Sequence, residues 1–213
     1  MIDHLIFLFY IYFFLFSSIG YGIKFSNIIS KNLVNLNLGW YGLIGFFLIS
    51  LISLFTSFFV SHNFLHNFVL HIIGFIFFCS SFLKKRNYYE YRILIYLSLL
   101  LIIAAFVFKN HDDFSYYHLT YALNLSENSF IVGTGNFSHG FRTFSSLFYY
   151  HSTLFFPFID YYLFHIGPFY ILVFFNFIII KKLIENLKSN NQDITFYFSL
   201  LSLIFVNIVF YRI

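Results

Sequence analysis

Two adjacent aspartates, Asp112 and Asp113, stand directly after a long apolar run, in the sequence KNHDDFSYYHL. The residues that follow have the spacing of an amphipathic helix, which should end near Glu127. An aspartate at the start of that helix would accept hydrogen bonds from free amides and meet the positive end of the helix dipole. It would therefore stay ionised and fixed in direction. The position fits a general base, a metal ligand or an ordinary helix cap, and it leaves all three open.

A second polar stretch, IVGTGNFSHGFRTFSS, follows the predicted helix. Its glycines Gly133, Gly135 and Gly140, together with Asn136, indicate a tight and irregular turn. The amides of such a turn can bind phosphate oxygens. No Lys-Ser or Lys-Thr pair follows, so the stretch is not a P-loop, and a plain loop explains it as well.

Three histidines, His62, His66 and His71, occur in the sequence SHNFLHNFVLH. His62 and His66 are four residues apart, so in a helix they share the face that a two-histidine metal or haem site would use. His71 lies five residues further on and falls off that face by roughly 140°. Membrane di-iron enzymes need further clusters with adjacent histidine pairs, which the sequence lacks. We therefore expect helix-packing or interfacial histidines.

The composition identifies the environment in which these residues work. Hydrophobic residues make up 60% of the 213 residues and charged residues only 9%, which exceeds what a soluble domain of this length can bury. The chain is therefore predicted to be an all-α polytopic membrane protein. Its formal net charge of +4 comes from basic residues in short loops, so topology explains it and no nucleic-acid partner is expected. The single cysteine, Cys79, allows no intramolecular disulfide.

Six apolar runs are long enough to cross a hydrocarbon core of about 30 Å. They cover residues 5–23, 39–60, 64–83, 91–108, 166–180 and 195–211. Lysine and arginine cluster in three of the intervening loops, which the positive-inside rule makes cytoplasmic. The N-terminus and residues 109–165 are then external, and we expect an integral protein of a bacterial inner (plasma) membrane.

A further apolar piece, residues 145–165, contains Pro157, Asp160 and His165, which break or polarise a lipid-buried helix. If this piece crossed the membrane, the basic loop with Lys181 would lie outside. We therefore predict an interfacial or re-entrant helix on the external side. The external loop 109–165 would then hold the acidic pair and the interfacial helices.

The predicted spans divide the chain into two parts. Residues 1–90 carry three membrane helices, and residues 91–213 carry the other three with the external loop between them. The chain stops inside the apolar run FVNIVFYRI without a polar tail, so we expect a truncated C-terminus.

The second part of the chain resembles the first external loop region of the GT-C glycosyltransferases, which include the protein mannosyltransferases and the lipid A aminoarabinose transferases. In that superfamily an outward helix leads to an acidic motif, often followed by aromatics, then to juxtamembrane helices and an inward helix. The matching residues are Asp112, Asp113, Tyr116 and Tyr117. Two features depart from the pattern. The outward helix is the fourth rather than the first, and Phe114 stands where an acidic pair led by Asp113 would continue.

The resemblance implies an enzyme that transfers a sugar from a polyprenyl-phosphate donor to a glycan, lipid or protein acceptor at the external face. Asp113 would deprotonate the acceptor hydroxyl, with Asp112 in support. Of the two aspartates, Asp113 is favoured by its spacing to the tyrosine pair. We expect the substrate to be bound by Tyr116, Tyr117 and His118.

The leaving phosphate of such a reaction needs positive charge nearby. Arg142 is the only arginine of the external loop, and with Lys109 and His139 it is the candidate for this role. The alternative for Arg142 is an interfacial anchor that reaches lipid headgroups.

A divalent metal ion is the one cofactor that these residues suggest, with Asp112, Asp113 and His111 as ligands and His118 as a further one. Two other functions are open. One is a non-enzymatic component, such as a transporter or channel subunit fragment. The other is a histidine-ligated membrane metalloprotein.

Overall fold

Every regular element in the described part of the chain is helical, which confirms the predicted all-α class. The computed structural model describes residues 2–29, 36–84, 88–103, 113–136, 139–142, 145–189 and 193–212. The helices are α1 (Ile2–Ile29), α2 (Leu38–Ser57), α3 (Phe64–Lys84), α4 (Tyr88–Leu101), α5 (Leu119–Glu127), α6 (Ser146–Ser152), α7 (Gly167–Lys188) and α8 (Ile194–Arg212). A π-helical turn, Phe114–His118, leads into α5, and 3-10 turns occupy Thr134–Asn136 and His139–Arg142.

Four helices in the described residues are long and apolar enough to cross a membrane. They are His4–Ile29, Leu38–Ser57, Phe64–Leu83 and Gly167–Lys188. The other two predicted spans coincide in part with α4 and α8. The described part of α4 has 14 residues, and the apolar part of α8, Ile194–Val209, is shorter than the four.

Helix α1 lies between α2 and α3, and small residues bring the three backbones close together. A Cβ atom at Gly45 of α2 would overlap the carbonyl oxygen of Ser18 in α1. A Cβ atom at Gly20 would likewise overlap the backbone of α3 at Gly74. Close backbone approach through glycine is a main source of helix association in lipid, where burial of apolar side chains gains little.

Polar contacts attach α7 to its neighbours. Lys181 forms an ion pair of 3.0 Å with Glu90 of α4, and both side chains are largely buried. Asn176 and Asn207 exchange side-chain amide hydrogen bonds between α7 and α8, the shorter of them 2.7 Å. The helix α7 extends well past the apolar run that predicted it, and Lys181 in this extension has an acidic partner.

Residues 145–166 form a short helix and a series of turns packed against the helical bundle. Helix α6 has seven residues and rises about 10 Å, which is too short to cross a bilayer. After Pro157 the backbone turns sharply, with positive φ at Phe158 (71°) and Asp160 (40°). The side chains of Leu154, Phe156 and other residues of this piece are buried. The piece is thus folded into the molecule, in agreement with a helix that does not span.

Candidate functional site

The Asp113 carboxylate lies at the start of the π-helical turn and is in contact with Tyr117. The Tyr117 hydroxyl donates a hydrogen bond of 3.4 Å to Asp113 Oδ2, and both residues are partly buried. Asp113 makes no side-chain hydrogen bond that caps this turn, so the ordinary-cap alternative does not hold for this residue, whereas Asp112 lies outside the described residues. Its φ and ψ are already helical, and an N-cap needs an extended backbone to reach the amides.

A π-helical turn spaces these two residues so that the hydroxyl of Tyr117 can reach back to the carboxylate. Such turns are rare and occur often at functional sites. Desolvation, and after it the negative charge of Asp113 and its hydrogen bond, raise the pKa of Tyr117. Tyr117 therefore stays protonated and remains a donor to the carboxylate.

Tyr117 is held in place by the 3-10 turn His139–Arg142 and by aromatic neighbours. A Cβ atom at Gly140 would lie 2.5 Å from the Cβ atom of Tyr117, so only glycine allows this close approach. The rings of His118 and Phe148 lie 4.4 Å and 6.0 Å from the Tyr117 ring, each edge to face. The glycine-rich stretch is thereby brought to Asp113, and Gly140 acts through packing.

Arg142 and His139 lie on that adjacent turn and are both exposed. The Arg142 Nε group donates a hydrogen bond of 2.8 Å to the carbonyl of Gly135, which ties the two 3-10 turns together. This bond uses one of the five guanidinium N–H groups. Gly133, with φ of 91°, makes the left-handed turn that begins this loop.

The remaining predicted site residues divide into three groups. Tyr117 donates a hydrogen bond to Asp113, and the His118 ring contacts the Tyr117 ring. Tyr116 is 63% exposed. Lys109, His111 and Asp112 lie outside the described residues. Among the residues that the structure describes, no group of three or more His, Cys, Asp or Glu side chains could hold a metal ion. The proposed metal site, which depends on His111 and Asp112, stays a prediction.

Helix α5 is confirmed as the predicted amphipathic helix, ending at Glu127 with Asn128 as C-cap. Its buried face carries Tyr121 and Leu125, which pack on Phe148 and Tyr149 of α6. The Tyr121 and Tyr149 hydroxyls share a hydrogen bond of 3.1 Å. Helices α5 and α6 thus form a platform that carries the π-helical turn with Asp113.

The platform is attached to the membrane helices through the loop between α2 and α3. The amide of His62 donates to the carbonyl of Leu125 (2.7 Å), and the amide of Phe130 donates to the carbonyl of Ser57 (2.7 Å). These backbone bonds hold the last turn of α5 and Phe130, which follows it, to the loop between α2 and α3.

A buried hydrogen-bond network, which we call the His62 network, connects the same loop to α6. It consists of Thr56, His62, His66, Asn67 and Ser152. The Asn67 Nδ2 group donates to the carbonyls of His62 (2.7 Å) and Ser152 (3.0 Å), so its Oδ1 atom can only accept. His66 must then donate from Nδ1 to Asn67 Oδ1 (2.9 Å). The Nε2 atom of His66 lies 2.9 Å from Thr56 Oγ1.

The two nitrogens of His62 also lie within hydrogen-bond distance of side-chain hydroxyls, Nε2 at 3.3 Å from Thr56 Oγ1 and Nδ1 at 2.6 Å from Ser152 Oγ. Each hydroxyl also donates to a backbone carbonyl, Thr56 to Ser53 and Ser152 to Tyr149. Burial, and after it the nearby His66, lowers the pKa of His62 to about 3, which agrees with one ring proton. Both nitrogens of His62 and His66 are therefore engaged by protein groups, which disfavours a haem or metal ligand role.

His71 plays a similar part deeper in the bundle. It is buried in α3, and its Nδ1 and Nε2 atoms lie 3.2 Å from Ser17 Oγ and 3.1 Å from Thr153 Oγ1. His62 and His71 thus join the helical bundle to the piece 145–166, and His66 connects α2 with Asn67 of α3, which supports the helix-packing interpretation. Their partners Thr56, Ser152 and Thr153 carry no sequence signal that would have found them.

Comparison with known proteins adds no relative, because no family model, no curated protein and no solved structure matches this chain.

Proposed function

We propose that this chain is, or is part of, a membrane glycosyltransferase of the GT-C type. It transfers a sugar from a polyprenyl-phosphate donor to an acceptor at the external membrane face. The observation that carries the proposal is the pairing of Asp113 with Tyr117 on a platform packed against apolar helices. A carboxylate in that position is accessible to a polar acceptor, while the lipid tail of the donor can stay in the bilayer.

Asp113 acts as the general base. It removes the proton of the acceptor hydroxyl while the new bond forms from the acceptor oxygen to the sugar carbon and the bond from that carbon to the phosphate breaks. The hydrogen bond from Tyr117 orients the carboxylate. The released polyprenyl phosphate carries away the electron pair of the broken bond.

The proposed topology has six spans with the N-terminus outside, and two contacts between distant segments support it. Glu90 of α4 and Lys181 of α7 lie in two basic stretches that the positive-inside rule assigns to the cytoplasm, and they form an ion pair. The loop at His62 and the end of α5 are both assigned outside, and they are joined by the bond from His62 to Leu125. Segments assigned to one side of the membrane therefore meet each other.

A test uses membranes that contain the chain and a panel of polyprenyl-phosphate hexoses and pentoses. Release of polyprenyl phosphate is measured by mass spectrometry. Loss of a general base lowers turnover by about 10²-fold or more, so Asp113→Asn should show at least that loss. Glu127→Gln, which changes an exposed acid on α5, should leave turnover unchanged. Wild-type turnover in both Asp113→Asn and Asp112→Asn would refute the catalytic role.

A second candidate is a transporter or channel component, which one observation favours. His71 is an ionisable residue in the interior of a membrane helix, and such residues often mark ion or substrate pathways. Its nitrogens, however, contact Ser17 and Thr153, which suits packing. Proteoliposomes that show proton or ion flux dependent on His71 would favour this candidate over the transferase. For the metalloprotein, purified protein without haem absorbance or bound metal would exclude it.

A further inference from the structure

The Nε2 atom of the His151 imidazole is buried and lacks a hydrogen-bond partner among the described residues. His151 as a whole is 7% exposed. An unsatisfied buried group of this kind costs about 1–3 kcal/mol and calls for an explanation. The rest of α6, by contrast, has its polar groups paired, as with Ser152 and Tyr149.

His151 Nε2 is directed at the first residue of α7. A Cβ atom at Gly167 would lie 2.5 Å from Nε2, so only glycine allows the ring nitrogen to pack this closely against the start of the helix. The side chain of Leu147 would lie 3.4 Å from the same Cβ, so it packs beside this contact between His151 and Gly167.

Helix α7 presents its positive end at this contact. It has 22 residues, begins at Gly167, and Ile166 before it provides no side-chain cap. The N-terminus of a long helix binds anions through its free amides and its dipole. An unpaired imidazole nitrogen and an uncapped helix end therefore face each other across Gly167.

Two more histidines on other elements lie near enough to affect the charge of His151. His165 precedes α7 by two positions, and His118 ends the π-helical turn. Burial is the main cause that lowers the pKa of His151 to about 3, and the charges of His165 and His118 lower it further. His151 is therefore neutral and can donate a single N–H from Nε2. The ring of His118 also lies 4.4 Å from that of Tyr117, which donates to Asp113.

We propose that His151, with His165, His118 and the N-terminus of α7, binds the phosphate group of the polyprenyl-phosphate donor. This inference rests on the proposed transferase function and assigns its phosphate subsite to residues other than Arg142. Phosphate oxygens match the donors that converge there, namely imidazole N–H groups and helix amides. The lipid tail would then extend along the apolar helices beside α7.

Binding is tested on the full chain in phosphatidylcholine nanodiscs with fluorescently labelled polyprenyl phosphate. We expect His151→Leu and Gly167→Ala each to weaken binding at least tenfold. His4→Gln, which changes an exposed histidine of α1, should bind as the wild type does. Unlabelled polyprenyl phosphate should compete, whereas neutral polyprenol should not.

A measurement of stability separates a functional role from a structural one. Replacing an unpaired buried nitrogen by an apolar group removes its desolvation cost, so lipid-free His151→Leu should melt at or above the wild-type temperature. Weaker binding together with unchanged or higher stability supports the site. Wild-type binding by His151→Leu overturns it, and so does a lower melting temperature together with weaker binding.

Two further outcomes distinguish the source of the phosphate and the fate of each proposal. Equal competition by phosphatidylglycerol or by inorganic phosphate would overturn the assignment to a lipid-linked donor. Asp113→Asn should bind polyprenyl phosphate normally while it loses sugar transfer. If no donor of the panel is turned over but binding depends on His151, the phosphate site stands and the transferase proposal fails.

Discussion

The buried amide of Asn67 should be among the most stabilising polar groups of the bundle. Asn67 is fully buried, and its Nδ2 group lies within hydrogen-bond distance of the carbonyls of His62 (2.7 Å), Ser152 (3.0 Å) and Phe155 (3.2 Å). The two amide protons serve these three acceptors. Asn67 therefore holds the turn that ends α6 to α3, together with the contact of His71 with Thr153.

Asn67→Leu keeps the volume of the side chain and removes all of these bonds. At least two carbonyls then lose a donor, and each unsatisfied buried group costs about 1–3 kcal/mol, so we expect a loss of about 2–6 kcal/mol. The matched control is Asn207→Leu, which breaks the amide pair between α7 and α8. Polar contacts between membrane helices contribute about 0.6 kcal/mol on average, so this variant should lose far less.

The comparison is made by unfolding the purified chain in mixed micelles with increasing sodium dodecyl sulfate. Hydrogen exchange at residues 152–155 should also accelerate in Asn67→Leu, because this turn loses its hydrogen bonds to the Asn67 amide. The reasoning is refuted if Asn67→Leu is no less stable than Asn207→Leu. It is also refuted if exchange in this turn stays at the wild-type rate.

Two further predictions concern helix packing and pH. Gly45→Val should destabilise the chain by about 1–3 kcal/mol or more, because the new side chain overlaps the carbonyl of Ser18 and separates α1 from α2. Gly133→Ala, which has open space and only an unfavourable φ of 91°, should cost about 1 kcal/mol in the same unfolding assay, and equal losses would contradict the packing argument. The pKa values of His62 and His151 are both lowered to about 3, below the unfolded value of about 6.5, so the unfolded state binds protons first. Stability should therefore be constant above about pH 7 and fall below pH 6.5, by up to about 1.4 kcal/mol per pH unit for each group, and His151→Leu should show a smaller slope. Unfolding that does not change between pH 7.5 and pH 5 would exclude this explanation.

Hydropathy located the long helices well because a helix that crosses a bilayer needs about twenty predominantly apolar residues in a row. The predicted spans 39–60 and 64–83 correspond to Leu38–Ser57 and Phe64–Leu83. The end of α7 was placed too early, since an apolar count stops at Lys181. The helix continues to Lys188, and Lys181 within it pairs with Glu90, 91 positions earlier in the chain. No local pattern contains such a partner.

The candidate site was predictable only in part, for the same reason. Residues four apart, such as Asp113 and Tyr117, can be placed together from helix geometry, and these two do lie in contact. The role of Gly140 against Tyr117 depends on how two loops meet, which spacing does not encode. The sequence could not predict the unpaired nitrogen of His151, because the lack of a partner depends on how the described segments pack in three dimensions.

The buried histidines bear on the choice between surface chemistry and transport. The predicted spans contain few polar residues, and the structure shows that two of them, His71 and Asn67, are buried in α3. A pathway across the membrane would need polar groups that continue toward both ends of the bundle. The His62 network instead closes on itself, because it runs from the hydroxyl of Ser152 to Asn67, whose amide returns to the carbonyl of Ser152. His71 also ends on this piece, at Thr153. These groups hold one segment in place, and that segment supports α5 and Asp113, so the interior polarity favours a platform for surface chemistry over a route for ions.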